Sequence, residues 1–257
     1  RDMESFWSQF WDFSNIKYSK SYDSVLKNPV MPGAEWFSGS ELNYAENLLK
    51  GDPNQVAVIS LGERGSVKSA TFRELNLKVS SVQKGLTDLG VKKGTIVAGF
   101  VPNCVETVIT MLAVSSLGGI WTSCSPDFGS KGVIDRFGQV NPHILITSNG
   151  YSYNGKLFQL EDKVNGVLNE IDSIKHVIEI EYVDISSNFN HVSVVSFDKL
   201  LDNDSPNPSF DQLPFDHPLY IMYSSGTTGP PKSIIHSSGG TLIQHMKEHQ
   251  LHCDVKP

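Results

Sequence analysis

The chain has 257 residues, 39% apolar and 19% charged, and its 28 acidic and 21 basic side chains give a formal net charge of −7. That balance supports one large or two small folded domains and excludes a disordered chain. It also argues against a nucleic-acid partner, because no basic stripe builds a positive field, so an anionic substrate must be held by local donors.

Cys104, Cys124 and Cys253 are too few and too scattered for a disulfide framework or a zinc site. Reduced thiols in the cytosol (a cytoplasmic location) are therefore expected. No membrane span is expected either: the most apolar stretch, 105–121, contains Glu106 and is short for a bilayer. Asp2 and Glu4 interrupt any secretory-type leader in residues 1–13. The first residue is Arg1 and the chain stops at Pro257 after a helical pattern, so both ends read as cut.

In chain order, Phe6, Trp7, Phe10 and Trp11 stand three and four apart and predict an amphipathic helix over 3–13, with a packing stripe rather than a membrane or partner face. Pro29, Pro32 and Gly33 break the chain, and a second helix is predicted over 42–49. Strands are predicted at 56–60 and 67–70. Thr71 with Glu74 reads as a capping box opening a helix that Gly90 closes. A strand at 96–100 leads to a second capping pattern, Asn103 with Glu106, and a helix to Gly118. Further strands are expected at 120–123, 143–147, 177–180 and 191–196, with helices at 133–137 and 157–171. Helices between short apolar strands argue for an α/β fold with mainly parallel sheets flanked by helices.

Residues 202–214, rich in Pro, Asp and Asn, read as a linker or surface loop. The predicted organisation is thus a helical and extended segment at 1–50, an α/β subdomain at 51–201, that linker, and the start of a second α/β subdomain at 215–257 carrying the loop described next.

An apolar strand, 219–223, runs into Ser224, Ser225, Gly226, Thr227, Thr228, Gly229, Pro230, Pro231 and Lys232, followed by an extended 233–236. Gly226 and Gly229 permit backbone geometries in which successive amides converge on one anion. Four hydroxyls can donate to phosphate oxygens or meet Mg²⁺, Lys232 supplies a cation, and the prolines stiffen its approach. A Walker-type loop places Gly directly before Lys, whereas Pro231 stands there, and the spacing does not fit the dinucleotide fingerprint. The bland alternative is a surface turn of small polar residues.

The stretch 223–232 resembles the phosphate-loop signature of the adenylate-forming (AMP-binding acyl-CoA synthetase) superfamily, and Ser225, Gly226, Thr227, Thr228, Gly229 and Lys232 fall on its motif. Phe72 to Leu75, Gly90-Val91, Gly94 and Pro102-Asn103 with Glu106 are similar to its first blocks. Trp36-Phe37 and the segment 42–49 resemble its acyl-CoA synthetases, and Trp121 to Gly129 resembles the acetoacetate-activating branch.

The resemblance implies a truncated N-terminal region of the adenylate-forming enzyme fold and two half-reactions: acetoacetate with ATP gives acyl-adenylate and pyrophosphate, then CoA displaces AMP. It implies that Ser224, Ser225, Gly226, Thr227, Thr228, Gly229 and Lys232 bind the nucleotide, with Thr228 and Lys232 supporting catalysis and Thr228 meeting Mg²⁺. It places the adenine, ribose and acyl sites and a late catalytic lysine beyond residue 257, so the chain alone is expected to be inactive. A ligase for another short acid such as acetate, or a non-catalytic truncated form with a binding role, stays open.

His236 is expected to pack rather than touch substrate. His245, His249 and His252 lack the carboxylate pattern of a metal site, and Cys124 reads as a packed thiol. The helix after residue 238 is expected to leave apolar surface exposed.

Overall fold

Short apolar strands and amphipathic helices alternate through most of the chain, and their order sets the sheet. The computed structural model describes residues 2–63, 65–191, 193–202, 207–224 and 229–255. Helix α1 (Met3–Phe13) is capped by Asp2, whose side chain accepts from Ser5 N. β1 (Ser24–Lys27) and β2 (Glu35–Ser38) pair antiparallel, β3 (Glu41–Leu42) follows, and α2 (Tyr44–Leu48) starts behind Asn43. The hairpin of β4 (Val56–Leu61) and β5 (Val67–Thr71) opens α3 (Phe72–Asp88), where Thr71 and Glu74 form the predicted capping box.

Then come β6 (Ile96–Phe100), α4 (Val105–Ser116), β7 (Ile120–Cys124), α5 (Ser130–Phe137) and β8 (Ile144–Ser148). A hairpin of β9 (Gly150–Tyr153) and β10 (Lys156–Gln159) precedes α6 (Glu161–Glu170), β11 (His176–Ile180), β12 (Val194–Ser196) and α7 (Phe197–Leu201). The chain continues through β13 (Leu213–Pro214), β14 (Pro218–Ser224), β15 (Lys232–Ser237) and α8 (Ser238–Lys247), with a π-helical turn at Glu248–His252.

Seven strands form one sheet in the order β12-β11-β8-β6-β7-β14-β15. Neighbours are parallel except for β15, which runs antiparallel to β14. Successive residues of the central strands feed opposite faces. Val97, Ile144 and Ile146 join α3, α4 and α7 in one core, while Ala98 and Leu145 join α5 and α6 in another. Both faces are covered, so these strands read as continuous apolar runs rather than alternating ones. A third core unites Phe10, Trp11 and Phe37 with Phe215 and Leu242, fixing the N-terminal segment against α8. Gly239 makes this possible: a Cβ there would lie 2.1 Å from the Phe215 ring.

Residues 207–214 are tied down from two sides. Gln83 donates to Ser209 O (2.6 Å) and accepts from Ser209 N (3.0 Å), while Asn43 donates to Asp211 O (2.8 Å) and to the C-terminal carbonyls of α4 at Ser115 and Ser116. β14, beyond this segment, pairs with β7 in the same sheet.

Four local expectations differ from the structure. The helix predicted over 157–171 begins only at Glu161, because Asn154 and Gly155 both take positive φ (50° and 71°) and turn the chain into the β9-β10 hairpin, an Asn-Gly signal of the usual kind. Asn103 does not cap α4: the cap position is Cys104, without a side-chain bond, and Glu106 turns instead to Lys68 at 2.8 Å. Of the strand predicted over 191–196, Val194–Ser196 form β12, and α7 stands directly behind it where no helix is predicted. Finally, Leu242 and Ile243 of α8 are buried; exposed apolar side chains in this part of the chain include Ile234 (47%) and Ile235 (63%) on β15 and Leu251 (47%) and Val255 (56%) after α8.

Candidate nucleotide-phosphate site

Leu219 and Ile221 bury β14 in the sheet, and the strand carries the chain to Ser224 at its C-terminal end. The register pairs Tyr223 with Ser233 and Ser224 with Lys232, so 225–231 connect two strands directly opposite each other. Ser225, Gly226, Thr227 and Thr228 lie outside the described residues. Of the predicted site, Ser224, Gly229 and Lys232 are therefore brought together at the tip of one hairpin. Gly229 holds φ +89° with open space where a Cβ would be, so it is backbone conformation rather than crowding that calls for glycine. Lys232 is exposed and, among the described residues, joins no ion pair, which leaves its charge available to an anion.

The location follows from topology. β7 lies on one side of β6 and β8 on the other, and α4 and α5, which lead into β7 and β8, cover opposite faces. A parallel sheet opens a ligand crevice outside its strand C-termini at such a reversal. Phe100, Cys124 and Ser224 end their strands on that edge. A cleft of about 310 Å³ opens there, lined by Asn103, Thr107, Ser123, Ser125 and Tyr182 among others.

The walls are braced. Thr122 Oγ1 donates to Ile221 O (3.0 Å) and lies 3.0 Å from the Tyr223 phenol oxygen. Burial, above all, raises the Tyr223 pKa, and the Thr122 bond works against that rise. The Arg136 guanidinium stands 4.8 Å from the Phe128 ring centre and 5.8 Å from that of Tyr223, tying the loop after β7 to the strand before the 225–231 connection. Lys163 donates to Pro126 O (3.0 Å) and fixes the same loop from α6. Sequence reasoning missed Arg136 and Lys163; both sit on amphipathic helices whose polar faces look like solvent faces in one dimension.

Burial pushes the Cys124 thiol up to about 12 and the Cys104 thiol up to about 11, so neither is an attacking group near neutral pH. The His236 ring packs 5.2 Å from Tyr220. His245 lies 3.4 Å from the Tyr44 hydroxyl and 6.4 Å, ring to ring, from His249; no group of three or more metal-ligating side chains occurs among the described residues. Nor is any helix there long and apolar enough to cross a membrane.

Comparison with known proteins agrees with this geometry. The pattern of the family described as "AMP-binding enzyme" matches residues 46–256. The chain belongs to that family. A second pattern, "Acetyl-coenzyme A synthetase N-terminus", matches residues 1–48 of this AMP-binding chain. Its relatives include the acetoacetyl-CoA synthetases of Xenopus tropicalis, 45% identical over 96% of this chain and 38% of the relative, and of Gallus gallus, 44% identical over 96% and 39%. The solved acetoacetyl-CoA synthetase of Streptomyces lividans superposes with a TM-score of 0.95 at 39% identity, over 99% of this chain and 39% of that one. The chain thus spans under two fifths of the length of these relatives.

Proposed function

We propose that this chain supplies the phosphate-holding part of an ATP-dependent acetoacetate–CoA ligase acting in the cytosol. The observation that carries the reading is the hairpin at the sheet's C-terminal edge, where Ser224 faces Lys232 across a Gly-, Ser- and Thr-rich connection.

In that reading the acid's carboxylate attacks the α-phosphorus of ATP and pyrophosphate leaves. The CoA thiol then attacks the acyl carbon, and AMP leaves. The task of the first step is to hold a triphosphate in line and to neutralise charge on oxygens around phosphorus. The backbone at Gly226 and Gly229 and the hydroxyls of Ser224, Ser225, Thr227 and Thr228 hold phosphate oxygens, and Lys232 adds counter-charge. No side chain of this chain serves as nucleophile, in keeping with the buried thiols.

Mg²⁺ fits the donor set. It is bound mainly by substrate phosphates, waters and one or two protein oxygens, and the loop, with Thr228 as the proposed contact, offers only oxygens. Bound there, it neutralises phosphate charge.

Acetoacetate is preferred over other acids because the relatives named above are acetoacetyl-CoA synthetases and match nearly the whole chain. The acetyl-coenzyme A synthetase pattern at residues 1–48 favours a second reading, with acetate as substrate. CoA-thioester formation by the intact protein, measured with acetoacetate and acetate side by side, decides between them. Thioester from acetoacetate at a clearly higher kcat/KM supports the proposal, a preference for acetate replaces it with the second reading, and no ATP-dependent thioester from either overturns both. Residues 1–257 assayed alone are expected to release no pyrophosphate.

A further inference from the structure

We infer that Gln139 is a positioning residue for the phosphate loop, a latch at the end of α5 that sets where Lys232 projects. The inference rests on the function proposed above.

β15 is an edge strand: among the described residues only β14 pairs with it, and Ile234 and Ile235 are exposed. A strand held on one side only is the element of a sheet that frays most readily. Its first residue is Lys232, so fraying there displaces the cation of the proposed site. The Gln139 side chain addresses this point. Its amide nitrogen donates to Asp135 O at 2.5 Å, anchoring it to α5, and to Pro231 O at 2.8 Å. Its amide oxygen accepts from Ser233 Oγ at 2.9 Å. Both protons of the amide nitrogen are thus used, and Pro231 and Ser233 are the two residues that flank Lys232.

A fork that grips residues 231 and 233 fixes the pleat between them. Side chains alternate along a strand, so Ser233 turned toward the end of α5 commits Lys232 to the opposite face. On the other arm of the hairpin, Arg136 from the same helix lies against the Tyr223 ring. The last turn of α5 and the turn that follows it therefore brace both strands from which the loop springs, without Gln139 itself standing in the loop. These are exposed bonds, so each contributes modestly, and Gln139 is dispensable for folding.

The test compares Gln139→Ala, Ser233→Ala and the double variant of the intact protein. ATP affinity is read by calorimetry, amide hydrogen exchange over 231–235 and over the rest of the sheet is followed, and the thermal midpoint is recorded. Gln159→Ala, which removes an exposed glutamine bonded to Glu161 and Ser186, is the control. Gln139→Ala is expected to weaken ATP binding by about three- to tenfold, the scale of one or two such bonds, and to speed exchange over 231–235 alone. Ser233→Ala should weaken it less and add nothing in the double variant, since its partner is already gone. Unchanged affinity and exchange in Gln139→Ala would overturn the latch; so would faster exchange across the whole sheet with a lowered midpoint. If the parent protein itself bound no ATP, the proposed function would fail, and local exchange over 231–235 would then judge the brace by itself.

Discussion

Thr122 Oγ1 lies 3.0 Å from the phenol oxygen of Tyr223, so an inner parallel strand holds, through a buried hydroxyl, the strand that leads into the proposed phosphate loop. Thr122 is 1% exposed, and its second contact is the Ile221 carbonyl. Replacing it by valine keeps the shape and strands two polar partners. Thr122→Val should cost about 1–3 kcal/mol, seen as a lowered midpoint in urea with an unchanged slope. It should also raise the Tyr223 pKa further, because the bond that opposes the effect of burial is gone; the ultraviolet phenolate titration reports this. The raised folded-state pKa means that Tyr223 contributes its stability fully below the usual tyrosine range and loses it as the pH climbs through the folded value.

The three cysteines should separate sharply by reactivity. Burial lifts Cys124 to about 12 and Cys104 to about 11, while Cys253 is exposed. At pH 8, brief treatment with iodoacetamide followed by mass spectrometry should find Cys253 modified and the other two intact. Rapid labelling of Cys124 would show an accessible thiolate at the sheet edge and reopen a nucleophilic role for it.

Gly229→Ala tests the loop's conformation separately from its charge. With φ at +89° and no atom near the missing Cβ, the substitution meets backbone strain only, about 1 kcal/mol. Nucleotide affinity should fall while the remainder of the sheet keeps its exchange protection. Lys232→Met should weaken ATP binding more than adenosine binding, since only the former offers phosphates; equal losses would place the lysine elsewhere.

The Lys68–Glu106 contact gives a pH signature. Burial drives the Glu106 pKa up, but the bond from Lys68 and the other stabilising contacts outweigh it, and the net direction is down. A depressed folded-state carboxylate stabilises above the ordinary glutamate range and loses that contribution as pH falls through its folded value. Lys68→Met should therefore cost about 1 kcal/mol near neutrality and less at acid pH, measured by urea unfolding at both. A cost independent of pH would assign the effect to packing of the lysine stem.

Much of this molecule is legible in one dimension because periodicity and burial coincide. Continuous apolar runs such as 96–100 and 144–146 sit inside a parallel sheet, and the Thr71–Glu74 box opens its helix as read. The misreadings have local causes. The β9-β10 hairpin places an apolar pair, Leu157 and Phe158, directly before α6, and only the Asn154-Gly155 turn ahead of them signals a strand. Glu106 sits where a cap partner belongs, yet a lysine 38 residues earlier claims it. The site is legible as composition, since small hydroxyls, two glycines and a lysine after an apolar strand advertise an anion. Its bracing is not: Arg136, Gln139 and Lys163 act across the fold, and distance in sequence hides them. Asn43, inside the helix predicted over 42–49, instead caps α2, and its amide also closes carbonyls at the end of α4.

The most direct test is a crystal structure of the intact protein with a non-hydrolysable ATP analogue and Mg²⁺. Polyphosphate density within hydrogen-bonding distance of the 225–229 amides, with Lys232 Nζ turned toward it, is the predicted result. Density seated elsewhere, or a hairpin tip closed upon itself with its lysine directed into solvent, would contradict it.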